Sequence, residues 1–93
     1  MTFQKFHFYV YTLVSLKDGN LYTGFSSNLR NRLSQHARGE VQSTKNRRPL
    51  ILVHYDYFIN EDDAKAREVF LKSGFGRNEL KKALKRTLAK FQV

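Results

Sequence analysis

Residues 9–36, YVYTLVSLKDGNLYTGFSSNLRNRLSQH, decide the architecture. From Phe6 to Val14, the residues Phe6, Phe8, Val10 and Val14 alternate with His7, Tyr9 and Tyr11, the pattern of a strand with one buried and one partly polar face. Lys17-Asp18-Gly19-Asn20 supplies a hairpin turn, since Asp-Gly accepts the positive φ that such turns require. Leu21 to Phe25 is the expected antiparallel return strand. Ser26 or Ser27 can cap a following helix in which Leu29, Leu33 and Ala37 fall at i, i+4 and i+8 as one buried row. Arg32 and His36 make the neighbouring row, and Gly39 is placed to end the helix.

Downstream, residues 40–49 are polar and basic, and Pro49 marks them as a loop carrying Lys45, Arg47 and Arg48. Leu50 to Phe58 is apolar on both faces and reads as a central or covered strand. Asn60 followed by Glu61, Asp62 and Asp63 starts a helix running to about Ser73, with Ala64, Arg67, Phe70 and Leu71 on one side and Glu68 at its margin. Gly74-Phe75-Gly76 breaks it, and Asn78 can cap a last helix with the stripe Leu80, Ala83, Leu84 and Leu88. Lys81 and Lys85 lie on the basic side of that stripe. The expected order is β-β-α-β-α-α, a small three-stranded antiparallel sheet flanked by helices, in a single α/β (α+β) domain spanning 1–93.

Charge narrows the partners. Lys plus Arg number 17 against 8 acids, a formal charge of +9 in 93 residues, so the long-range field attracts polyanions, with nucleic acid the leading partner. Hydrophobic residues at 41% and aromatics at 14% are too many for a disordered basic tail. There is no cysteine, which removes thiolate metal sites, thiol nucleophiles and disulfides. No apolar run approaches the ~20 residues that span a bilayer, and MTFQKFHFYVYTLV lacks a charged-then-apolar signal pattern. A soluble, cytoplasmic protein without membrane attachment is expected.

Few residues can carry chemistry. Of the acids, Asp18 belongs to a turn, Glu40 follows a helix end, Glu61, Asp62 and Asp63 cap one helix and Glu79 opens another, which leaves Asp56 and Glu68 as candidate ligands for a hard cation. On spacing alone, Glu68 is either such a ligand or an ion-paired surface residue. Arg32 by itself reads as a helix-surface arginine, Tyr11 and Tyr22 as a cross-strand aromatic pair, and His36 as a half-buried helix histidine or a proton relay. His7 and His54 read as structural.

Val10-Tyr11, Tyr22-Thr23-Gly24, Arg32 and His36 together resemble the signature of the GIY-YIG nuclease superfamily. More narrowly, the chain resembles its small single-domain members, which are related to the N-terminal nuclease domain of the excision-repair nuclease. That resemblance covers nearly the whole chain. It implies that Arg32 is the catalytic arginine binding the scissile phosphate, that Glu68 is the single metal-binding glutamate, and that Tyr11 and Tyr22 position or deprotonate the attacking water. His36 matches a histidine found in a subset of the family. Departures are Tyr9 at the first glycine, Thr23 at the central isoleucine and Phe25 where some relatives carry a water-activating lysine, so that burden moves to Tyr11, Tyr22 or His36.

The function so implied is a Mg2+- or Mn2+-dependent DNA endonuclease of low sequence specificity, directed by DNA structure and connected with DNA repair. Lys45, Arg47, Arg48, Lys81 and Lys85 would hold the phosphate backbone. The alternatives are a catalytically weak nucleic-acid-binding module of the same fold, and a nuclease directed at RNA.

Overall fold

The computed structural model describes residues 6–91; residues 1–5, part of the segment read for a signal pattern, lie outside the described residues, as do 92 and 93. Strands β1 (Phe8–Ser15) and β2 (Leu21–Ser26) form the expected hairpin, and β3 (Leu50–Phe58) pairs with the other side of β1. The three strands are antiparallel and ordered β2-β1-β3. Helices α1 (Leu29–Ala37), α2 (Glu61–Lys72), α3 (Gly74–Ala83) and α4 (Lys85–Ala89) flank this sheet. The expected class and element order therefore hold, except that the last helix is divided at Leu84.

The hairpin closes as its turn residues demand. Gly19 takes φ +73°, and its N–H donates to the Ser15 carbonyl at 2.8 Å. Ser15 is fully buried and ties two loops together: its hydroxyl accepts from the N–H groups of Lys17 and Asp18 at 3.1 Å and donates to the Arg47 carbonyl at 2.6 Å. Gly19→Val should lower stability by about 1 kcal/mol or more, because a β-branched residue resists left-handed φ. A thermal melt checks this, and an unchanged midpoint would contradict the turn's role.

One sheet face builds the main core. Val10, Ala64, Leu71 and Leu80 are buried together, with Phe8, Phe25, Phe58, Phe70 and Leu84 packed around them. This is the face covered by α2 and α3, and Asn60 caps α2 as expected by accepting from the Asp63 N–H at 3.0 Å.

Four local expectations are corrected. First, β1 is the central strand, since it pairs on both sides; β3 is an edge whose Tyr55 and Tyr57 stay about half exposed. Its apolar content came largely from tyrosines, which satisfy a strand pattern without needing full burial. Second, α1 is capped by Asn28, which accepts from the Asn31 N–H at 3.1 Å, while Ser26 instead braces Asn28 through its own hydroxyl at 2.9 Å. Third, the Leu29, Leu33 and Ala37 row is only partly buried, and the buried residue of α1 is His36. Fourth, α3 starts at Gly74 behind a Ser73 cap, which accepts from the Gly76 N–H at 3.1 Å, so Asn78 lies inside the helix.

Candidate functional site

Tyr11 lies opposite Gly24 on β2 and Tyr55 on β3, so its ring leaves the sheet on the face away from Val10. The ring lies over Gly24: a Cβ at that position would stand 2.3 Å from Tyr11 Oη and 2.5 Å from Cζ. Gly24 is thus demanded by its neighbour's ring.

Helix α1 closes over the ring with the Arg32 and His36 side. Tyr11 Oη lies 2.7 Å from His36 Nε2, and His36 Nδ1 lies 2.7 Å from Thr44 Oγ1. Tyr11 and Thr44 are 0% exposed and His36 is 2% exposed. A neutral imidazole has one donor and one acceptor nitrogen, so the three groups form one directed hydrogen-bond chain. The Tyr22 ring stands 6.4 Å from Tyr11 and 5.3 Å from His36, and its hydroxyl accepts from Ser43 Oγ at 3.3 Å. Arg32 Nη1 donates to Gln35 Oε1 at 3.0 Å.

Burial pushes the Tyr11 phenol above its ordinary 10.0; Arg32 pulls it back, and the charges of Tyr22 and Glu68 add to the rise. Burial, with the Arg32 charge, pushes His36 from 6.5 down to about 4. Between those two pH values the unfolded chain takes up a proton that the folded chain refuses. Stability from His36 is therefore complete above pH 6.5 and declines as pH falls toward about 4. Asp18, held at about 2 by Arg47 from an ordinary 3.8, contributes its loss only at lower pH. Thermal midpoints should accordingly fall across pH 6.5 to 5, and His36→Gln should flatten that decline. Parallel profiles for the two proteins would contradict the burial of a neutral His36.

Glu68 sits on α2 with its side chain 21% exposed, and Lys72 Nζ approaches it at 2.9 Å. Its charge reaches Tyr11, which brings it into the neighbourhood of Arg32. Asp56, the other candidate carboxylate, is engaged elsewhere: Arg67 Nε donates to it at 2.9 Å and His54 Nε2 lies 3.9 Å away. Among the described residues, no group of three or more His, Asp or Glu side chains could hold a metal ion. Glu68 alone offers the kind of single carboxylate that suits a magnesium keeping most of its waters, provided Lys72 yields.

The basic residues singled out in the sequence fall into three separate clefts. Lys45 and Arg48 share a cleft of about 560 Å³ with Lys17, and Arg48 also donates to the carbonyls of Lys45 and Ala37 at 2.9 and 3.4 Å. Arg47 is ion-paired to Asp18 at 2.7 Å and faces Arg77 and Lys81 across a second cleft. Lys85 lines a third cleft with Lys82 and Arg86. Thr44, Ser43, Gln35 and Lys72 escaped the sequence reading; only the i, i+4 spacing of Glu68 and Lys72 was a usable signal.

The constellation of Tyr11, Tyr22, Gly24, Arg32, His36 and Glu68 agrees with comparison to known proteins, in which the GIY-YIG catalytic domain family matches residues 7–82. A UPF0213 protein of Staphylococcus haemolyticus is 38% identical over 74 residues, covering 78% of this chain and 89% of that protein. The chain is a GIY-YIG domain of the UPF0213 family. A UPF0213 protein of Natronomonas pharaonis is 41% identical over 66 residues, covering 70% of this chain and 76% of the relative. The solution NMR structure of a UPF0213 protein from Bacillus halodurans matches with a TM-score of 0.51 and 32% identity, covering 80% of this chain and 81% of that one. In this UPF0213 domain, Phe25 packs in the core against Phe8 at 6.1 Å, and Lys65 of α2 stands over its ring at 5.7 Å. Among the described residues, no helix is long and apolar enough to cross a membrane.

Proposed function

We propose that this UPF0213 domain is a nucleic-acid-binding module, with DNA its preferred partner, in which metal-dependent phosphodiester hydrolysis is slow. The closed Tyr11–His36–Thr44 chain carries this reading, because it occupies the position where the family signature puts water activation. Tyr11 is sealed from solvent, and its hydroxyl is already committed at 2.7 Å. Passing its proton to His36 moves it from a group above 10.0 to one at about 4, disfavoured by roughly six orders of magnitude or more. Glu68 is likewise engaged, by Lys72. A domain with these groups tied up and a formal charge of +9 keeps phosphate binding as its strong property.

Binding should weaken steeply with salt, since phosphate contacts release counterions. Lys81 and Lys85 are exposed, so charge reversal there leaves the core intact. Each reversal should reduce the slope of log affinity against log salt by about 1. Salt-independent affinity would contradict the electrostatic reading.

A second reading, a structure-directed endonuclease, is favoured by one observation: Arg32 and Glu68 both act on Tyr11, so phosphate clamp, carboxylate and phenol share one neighbourhood. There Glu68 would hold Mg2+ or Mn2+, which supplies charge neutralisation at the leaving oxygen, and Arg32 would bind the phosphate bidentately. A role in DNA repair, a cytoplasmic setting and a closer tie to the excision-repair nuclease belong to this second reading. Arg32→Ala and Glu68→Ala would both abolish cleavage under it, with Arg32→Ala alone also weakening binding.

A further inference from the structure

The edge strand β3 carries a surface that neither the core nor the Tyr11 site uses. Tyr55 and Tyr57 are 49% and 45% exposed. Both lie on the same sheet face as Tyr9, whose ring centroid stands 5.9 Å from Tyr55 and 5.5 Å from Tyr57. His7 Nδ1 is 3.1 Å from Tyr57 Oη and extends the group. These rings brace one another and leave part of their faces in water, a clustered arrangement unlike scattered surface apolar residues.

A notch of about 410 Å³ opens between Tyr9 and Tyr55 on one wall and Asn28 and Arg30 on the other. That volume is in the range that holds one small ligand, and no acidic residue lines it. Arg30 is two residues from Arg32, roughly 200° around the helix, and so serves this notch while Arg32 serves the Tyr11 site. Tyr9 precedes Tyr11 by two residues on the same face, a separation of roughly 7 Å along the strand. A chain lying across Tyr55 and Tyr9 would therefore run toward the Tyr11 and His36 pair.

We propose that Tyr9, Tyr55 and Tyr57, with Arg30 at their rim, form a stacking platform for unpaired bases of single-stranded nucleic acid. This inference rests on the nucleic-acid-binding reading and gives it a strand preference. Aromatic faces take up bases only when those bases are free of a duplex stack, while the guanidinium and the field of a +9 chain hold the phosphates. Phenolic hydroxyls and His7 add hydrogen bonds to base edges without imposing a sequence.

The test compares oligothymidylate, a duplex of equal length and an abasic oligonucleotide of equal length, on the intact protein. Tyr55→Leu/Tyr57→Leu should weaken oligothymidylate binding about tenfold while duplex affinity stays within about twofold, and Tyr55→Phe/Tyr57→Phe should restore it. On the wild-type protein the abasic strand should bind about tenfold more weakly than oligothymidylate, a readout independent of any variant's folding. The chain has no tryptophan, so quenching of tyrosine emission by oligothymidylate reports stacking directly. Equal affinity for abasic and normal strands, or equal losses on single strand and duplex, would overturn the platform and leave general binding standing. Failure of the wild-type protein to bind any of the three would overturn both. A change in sedimentation of the Leu pair with unchanged oligonucleotide binding would make this face a contact between copies of the chain, and would also overturn the proposal.

Discussion

Replacing His36 with alanine should destabilise the protein by about 3–5 kcal/mol, a large share of the roughly 5–15 kcal/mol that holds a domain folded. Two effects combine. Removing a buried imidazole leaves a cavity, and it orphans both Tyr11 Oη and Thr44 Oγ1, each now satisfied at 2.7 Å. A buried group left without its partner costs on the order of 1–3 kcal/mol. Tyr11→Phe should cost less, because it keeps the ring over Gly24 and orphans only one imidazole nitrogen. Because the Tyr11–His36 bond is lost in each single variant, the double variant should fall short of the sum by about 1 kcal/mol. Denaturant titration of all four proteins measures this, and strict additivity would contradict a direct bond.

Gly24→Ala should be the second severe substitution, even though it adds a single methyl group to an edge strand. The added Cβ would stand 2.3 Å from Tyr11 Oη, far inside van der Waals contact. Relief requires the ring to swing, but Tyr11 is 0% exposed and fixed at its hydroxyl by His36. Overpacking of this kind costs about 1–3 kcal/mol. A loss of that size should shrink sharply in a Gly24→Ala/Tyr11→Leu background, where the phenol is gone. If Gly24→Ala melts like the wild type, the ring does not lie where the structure puts it.

Much of this was legible in the sequence because the deciding signals are local. The Asp18-Gly19 turn, the Asn60 cap and the alternation of β1 each depend on neighbours a few residues away, and each appears in the fold. Tyr11, Tyr22, Arg32 and His36 could be singled out because the hairpin and one helical turn fix their spacing. The orientation of α1 was not legible. Leu29, Leu33 and Ala37 give the stronger apolar row, yet two short hydrogen bonds to His36 turn the other side inward. Thr44, which makes one of those bonds, sits in a polar loop where a hydroxyl residue gives no periodic signal. The α3 start was missed for a related reason: Ser73 and Asn78 are both good caps, and only the extended backbone at Ser73, ψ 157°, selects the first.

Residues that the signature assigns to chemistry are also structural here: Tyr11 and His36 are the largest polar-bearing side chains in the closed interior between the sheet and α1. Activity and stability are therefore coupled at these positions, and a loss of either after substitution needs both to be measured.

Binding and strand integrity followed together in one sample of end-labelled branched DNA would separate a binding module from an efficient nuclease. Anisotropy would be recorded at several salt concentrations in EDTA, Mg2+ and Mn2+, with a denaturing gel of the same mixtures and Glu68→Ala beside the wild type. The expected result is saturable, salt-sensitive binding in all three conditions and in both proteins, with only slow metal-dependent nicking of the bound strand. Turnover at about 1 s⁻¹ or faster, in the usual enzyme range and lost in Glu68→Ala, would contradict it.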